Sequence, residues 1–235
     1  MSIPVIFTTI EREKLAIETF NNVLEYDFIP VLGIQTQKKT KDIITEKYAK
    51  IALPYDCGLS YSRNYLVEFV QKYYNSEFVI VSADSIQFEN TKGLSMCIEF
   101  LTSGIDLIGF DIKNRIAWEG NIDLIEGKHF LIKKMPLKET NFYSCEIVRN
   151  FFIAKTRSLL DVKWDNELKL AEHEDFFYRF KLAKKKVMWT NTVIGKYINH
   201  KPQKYNVLRQ RMYNEFVKKL KNKWNISGWA RIKKD

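Results

Sequence analysis

Four short stretches of this 235-residue chain gather side chains that could do chemistry. Residues 53–64 read LPYDCGLSYSRN. Gly58 and Ser60 suit a tight turn into a helix, which places Arg63 beside free backbone N–H groups in the first turn. A helix N-terminus with an arginine suits a diphosphate, although Ser-Arg-Asn at a helix start also serves as plain capping. Residues 78–88 read FVIVSADSIQF, an apolar run that stops at Asp84. A carboxylate at the carboxyl end of a buried strand lies where open α/β sheets hold ligands. Holding a hard cation takes more than one oxygen ligand, and here Ala83 and Ser85 flank a single acid. Residues 170–180 read LAEHEDFFYRF. Crowded carboxylates raise one another's pKa, which suits a general base; His173 with Glu172 also suits a metal, and acids at a helix start also answer its dipole. The fourth stretch, KYINH, ends on His200, and a lone His is more often structural than a ligand.

The segments around these residues alternate between strand and helix patterns. PVIFTT near the start, FIPVLGI at 28–34, EFVIV at 77–81 and DLIGF at 106–110 read as buried strands. Helical spacing is expected over 11–25, 58–74, 91–102 and 174–185. The polar stretch 35–48 is expected to form loop and helix, and 50–53 a short strand. Residues 112–143 are expected to form short strands or an irregular insert, 148–155 a strand, and 187–189 and 193–198 two further short strands. Such alternation implies an α/β fold, with a mainly parallel central sheet and helices on both faces. The dinucleotide fingerprint GxGxxG and the P-loop are both absent from the sequence, which disfavours NAD-dependent and P-loop chemistry.

Composition narrows the class further. Hydrophobic residues make up 46% of the chain, which excludes a disordered one, and a chain this long needs no disulfide staples. Cys57, Cys97 and Cys145 lie far apart and form no CxxC, so they read as buried thiols in a reducing compartment. No long apolar span suggests a membrane helix, and no signal peptide is expected from the start of the chain. The net charge of +10 is unevenly placed. From His200 onward stand eleven Lys/Arg and two Asp/Glu, while the rest carries 27 basic and 26 acidic side chains. In that tail Leu208, Met212, Phe216, Leu220 and Trp224 recur every four residues. The expected basic amphipathic helix would pack on the body or lie on an anionic membrane, with Trp229 as an interfacial anchor. Residues 1–200 are thus expected to be one domain and 201–235 a basic extension packed on or beside it. A nearly neutral body argues against nucleic acid as partner.

Taken in order, these motifs resemble GT-A-fold glycosyltransferases, particularly the β-1,4-N-acetylgalactosaminyltransferase type and its family-2-like relatives. The likeness runs through Pro54, Gly58, Arg63-Asn64 and Asp84. It continues through Asn150-Phe151-Phe152, Ala154-Lys155-Thr156, Trp164-Asp165, Leu168, Glu172-His173 and Asp175-Phe176-Phe177, and ends at His200. The resemblance implies a single GT-A (Rossmann-like) domain, a nucleotide-sugar donor, commonly a UDP-sugar, and inverting transfer to a hydroxyl of a glycan or glycoconjugate. It often implies Mn²⁺ (or Mg²⁺). Asp84 matches the DxD region, with Asp84 and His200 as metal ligands and Ser85 in the donor set, although Ala83 and Ser85 thin the motif. Arg63 matches the arginine near the donor phosphates. Thr8, Thr9 and Arg12 follow the first strand, where such enzymes hold the nucleoside, and Asp56 joins the donor set. Asp175 matches the catalytic base, with Glu172 and Glu174 as rivals.

The resemblance also implies physical demands. An oxocarbenium-like transition state requires the acceptor hydroxyl to lose its proton as it attacks. The leaving diphosphate requires a cation or side chains, and with the acidic motif thinned Arg63 carries more of that load, making metal dependence weak. Trp118 and Trp164 are candidates for stacking on sugars or for core packing. The expected location is the cytoplasm or its membrane surface. The thinned motif equally suits a non-catalytic GT-A-like module that binds nucleotide or glycan.

Overall fold

A computed structural model describes residues 2–38, 40–113, 119–125, 129–134, 140–199 and 204–233. Its centre is a parallel block of four strands. These are β1 (Pro4–Ile10), β2 (Ile29–Thr36), β4 (Ala49–Pro54) and β5 (Phe78–Val81), in the order β4-β2-β1-β5. Successive side chains of β1 serve opposite faces, as a strand's period of two requires. Val5 and Phe7 pack with Ala16, Phe20 and Val23 of α1 (Glu13–Glu25), while Ile6 packs with Leu66, Val67 and Val70 of α2 (Gly58–Tyr74). Burial on both faces explains why these strands read as unbroken apolar runs.

Beyond β5 the sheet becomes mixed. β11 (Phe152–Lys155) inserts antiparallel between β5 and β7 (Leu107–Lys113). β12 (Val187–Tyr197) pairs parallel with β7 and antiparallel with β6 (Ile86–Asn90) and β10 (Phe142–Cys145). With the edge strand β3 (Ile43–Ile44) the sheet has ten strands. α1 and α3 (Leu94–Thr102) contribute to one face, and α2, α4 (Thr156–Val162) and α5 (Glu172–Leu182) to the other. The architecture is thus α/β with helices on both faces, built around a parallel core.

Several elements depart from the sequence expectation. The stretch before Ala49 forms no helix: β-branched Ile43 and Ile44 pair with β4, and Thr45 Oγ1 accepts from the backbone N–H groups of Lys47 and Tyr48 in a local turn. The two short strands expected near 187–198 are one strand, β12. Its register against β7 shifts between Thr190 and Ile194, where Thr190 Oγ1 accepts from the Thr192 N–H. The strand expected from Val148 begins only at Phe152.

The insert at 112–143 includes β8 (Gly120–Ile125) and β9 (His129–Lys134). These form a second, three-stranded sheet with β13 (Gly228–Lys233), a strand the sequence pattern did not reveal. Between them in sequence, α6 (Lys204–Trp224) turns Phe216 and Leu220 inward, and Leu220 joins the main core. Its apolar stripe therefore faces the body, while Lys218 and Lys219 stay exposed. Trp118, His200 and the side chains of Leu208 and Trp229 lie outside the described residues. Cys97 and Cys145 are buried and Cys57 is half-buried, all as free thiols.

Candidate functional site

Parallel pairing of β1 and β5 sets their carboxyl ends side by side, and the chemistry collects there. After β5 the chain turns sharply: Ser82 N–H donates to Ile6 O (2.9 Å) and Ile86 N–H to Ala83 O (3.1 Å). Thr19 Oγ1 on α1 donates to the carbonyl of Asp84 (2.8 Å). These bonds hold the Asp84 carboxylate at 1% exposure, with its Oδ1 2.8 Å from Arg12 Nη2. Arg12 precedes α1, and its carbonyl accepts from Ala16 N–H.

A cleft of about 540 Å³ opens above this pair. Thr8, Arg12, Arg63, Asp84 and Ser85 line it, as do Arg149, Asn150, His173, Tyr197 and Arg209. Five of the expected donor residues thus share one wall. The other two, Thr9 and Asp56, line a smaller adjoining pocket with Gln35. There Asp56 pairs with Lys169 (2.9 Å), and Gly58 sits at φ +83°, where a Cβ would approach the Lys169 Cα to 3.0 Å. Only glycine tolerates both demands, which explains the turn into α2.

The second and third motifs meet through α2. Arg63 Nη1 donates to Glu172 Oε1 (2.9 Å), both side chains being buried. Asn64 donates to the Trp164 carbonyl (2.7 Å) and accepts from the Trp164 N–H (2.8 Å). Trp164 stacks on Phe176, with ring centroids 4.3 Å apart, so it is core and not a sugar platform. α5 starts from Ala171 at φ 59°, a left-handed conformation costly for a residue with a Cβ.

Successive residues on α5 diverge by about 100°. Glu172 meets Arg63, and His173 lines the cleft with its Nδ1 3.0 Å from Asn150 Oδ1. Burial, then the charges of Arg63 and Arg149, push the imidazole down to about 3. Glu174 is pushed up to about 8 by burial, with the charge of Glu172 adding to it and a backbone hydrogen bond partly opposing. Burial, aided by Glu174 and Glu172, also raises the Tyr213 phenol on α6, which sets both acids near that helix.

Asp175 is the expected base that the geometry does not bring to the cleft. It is 0% exposed; Arg179 Nε donates to its Oδ2 (2.8 Å), while Lys223 Nζ (2.8 Å) and Trp224 Nε1 (2.9 Å) meet its Oδ1. It locks α6 to α5. Glu172 and Glu174 are likewise absent from the residues lining the cleft.

Of the expected metal site at Asp84 and His200, only Asp84 lies among the described residues. Among the described residues no group of three His, Cys, Asp or Glu side chains could hold a metal, and His200 lies outside them. Asp84 is the one carboxylate among the described residues lining the cleft, and it faces a guanidinium. These residues do not fit a divalent cation.

Sequence reasoning missed Arg149, Tyr197 and Arg209, and gave His173 only a secondary place. Arg149 directly precedes the Asn150-Phe151-Phe152 motif, so its neighbourhood was a usable signal. Arg209 lies in the tail read as a basic extension packed on or beside the body, whose polar face carried no site reading.

Comparison with solved structures agrees with this architecture. The chain is similar to S. aureus TarS residues 1–349 (TM-score 0.55, 15% identity), covering 94% of this chain and 72% of that one. It is similar to GalNAc-T7 with UDP, GalNAc and Mn²⁺ (TM-score 0.63, 12% identity), covering 85% and 44%. It is also similar to A197 from STIV (TM-score 0.52, 11% identity), covering 85% and 87%. The chain spans less than half the length of GalNAc-T7 and 40% of a longer TarS chain. No family model and no curated protein sequence matches it. TarS and GalNAc-T7 are glycosyltransferases, and the fold of this chain is the GT-A glycosyltransferase fold.

Proposed function

We propose that the chain transfers a sugar from a nucleotide-sugar donor, commonly a UDP-sugar, to a hydroxyl of a glycan or glycoconjugate, with inversion. The observation that carries this reading is the cleft at the carboxyl ends of β1 and β5, where Asp84 and four arginines meet in a GT-A fold. The adjoining pocket supports a nucleoside site: Thr9 Oγ1 and Gln35 Oε1 are buried there and have no hydrogen-bond partner among the described residues. Thr8, Thr9, Arg12 and Asp56 belong to that side, and Arg63, Asp84 and Ser85 to the phosphate side.

In the reaction the acceptor oxygen forms a bond to the anomeric carbon as the bond to the diphosphate breaks. The leaving electron pair stays on the phosphate oxygen, and the acceptor proton passes to a base. The expected base is Asp175, with Glu172 and Glu174 as rivals, and none of the three lines the cleft. Glu172 is held by Arg63 and Asp175 by Arg179, Lys223 and Trp224, while Glu174 is buried and its carboxyl is pushed up to about 8. Among the described residues no helix is long and apolar enough to cross a membrane. With the stripe of α6 turned inward, contact with an anionic membrane would rest on lysines such as Lys218 and Lys219.

A second reading, a nucleotide- or glycan-binding module without catalysis, draws on the Arg12–Asp84 pair in place of a full acidic motif. Incubation with a panel of labelled nucleotide-sugars and glycan acceptors separates the two. Transfer of the labelled sugar to an acceptor is expected of the transferase. Donor binding without turnover of any pair would favour the module.

A further inference from the structure

We propose that Arg12 takes the place at Asp84 that a divalent cation would take in a metal-dependent site, so that the cleft grips its donor's diphosphate with guanidinium groups and without metal. The inference rests on the donor reading above and concerns how that same site neutralises charge.

The Arg12–Asp84 contact is built from two anchored pieces of backbone. Asp84 stands in a turn tied to β1 and α1, and the Arg12 carbonyl is tied into the first turn of α1. The carboxylate is sealed at 1% exposure, whereas the Arg12 side chain keeps 18%. A guanidinium carries five N–H donors in a fixed fork, so one edge can hold Asp84 while another meets a ligand. Arg12 lines both the large cleft and the smaller pocket beside it, a position from which it reaches the junction of nucleoside and phosphates.

The other arginines divide the work. Arg63 answers Glu172 at 2.9 Å and Arg149 answers Glu119 at 4.0 Å. Each of them, like Arg12 at Asp84, therefore faces a buried acid and lines the same cleft. The diphosphate's charge is shared by Arg12 with Arg63, Arg149 and Arg209, the last of which α6 delivers to the same cleft. Arg209 sits close enough to Arg63 to lower its basicity, after the larger effect of burial and against the pull of Glu172. An anion between these guanidiniums would relieve their mutual repulsion. Planar guanidiniums match phosphate oxygens bidentately and act on a leaving diphosphate much as a cation does.

Isothermal titration of metal-stripped protein with UDP, GDP, CMP and inorganic pyrophosphate, in EDTA and in excess Mn²⁺, tests the inference. The preferred nucleotide should bind in both conditions with Kd values within about threefold, well under the tenfold that 1.4 kcal/mol represents. Arg12→Gln should weaken its binding in EDTA by about ten- to hundredfold, the range for losing a hydrogen bond to a charged group. Arg12→Lys should recover part of that loss. If Arg12→Gln does not fold, the wild-type comparison alone decides. Binding that appears only with Mn²⁺ overturns the inference and leaves the donor reading standing. Absence of nucleotide binding in either condition overturns both.

Discussion

Asp84 and Asp175 are the most deeply buried of the acids that face an arginine among the described residues, yet they do different work. Asp84 (1% exposed) meets Arg12 at the rim of an open cleft. Asp175 (0% exposed) meets Arg179, Lys223 and Trp224 between α5 and α6. Arg12 and Arg179 keep similar exposure (18% and 22%), but Arg12 lines an open cleft, so its pair can be re-formed around a ligand. At Asp175 all three donors converge on one anion, and Lys223 is also tied to Asp165. Burial and charge alone do not mark a working acid; what matters is whether its partner opens onto a cavity.

Truncation should separate the two most sharply. Asp175→Ala leaves Arg179 and Lys223 without their anion, and denaturant unfolding should show a loss of about 3–5 kcal/mol. Asp84→Ala should cost less, because it leaves one cation without its anion, beside an open cleft, where Asp175→Ala leaves two. Equal losses would erase the distinction.

The next effect lies in pH. The folded state holds a proton on Glu174 up to about 8, against an ordinary value of 4.5. Its contribution to stability is full below that ordinary value and lost as pH rises through 8. Glu174→Gln should therefore raise the melting temperature at pH 9 and leave it nearly unchanged at pH 4. His173 acts in the opposite direction. Its folded value near 3 lies below the ordinary 6.5, so its contribution is present above 6.5 and lost as pH falls toward 3. His173→Gln should flatten the acid side of the melting profile.

The smallest effect belongs to a pair outside both clusters. Lys163 and Glu68 meet at 2.7 Å with half of each side chain exposed. Lys163→Ala should change stability by about 0.2–1 kcal/mol and leave nucleotide binding unchanged.

The parallel core was legible because strands buried on both faces leave continuous apolar runs, as PVIFTT and FVIV show. The start of α2 was legible because Gly58 marks a backbone turn that no other residue tolerates. Asp84 could be placed at the cleft because strand ends converge there, whereas Arg63 sits in the second turn of α2 and not the expected first, since the helix begins at Gly58. The roles within Glu172-His173-Glu174-Asp175 could not be read, since adjacent helical residues point about 100° apart and only packing tells which way each faces. Nor could Arg209 be placed, because an amphipathic helix announces its apolar stripe but not the surface that covers it. β13 was hidden for a related reason: its pairing with β9 joins segments nearly a hundred residues apart.

The most direct measurement is hydrogen–deuterium exchange with and without the nucleotide that binds best. Slowed exchange is expected in peptides covering residues 8–12 and 82–86, with little change in those covering 175–182 and 216–224. Protection confined to the α5–α6 peptides, or no protection at 8–12 and 82–86, would contradict a donor site built on Arg12 and Asp84.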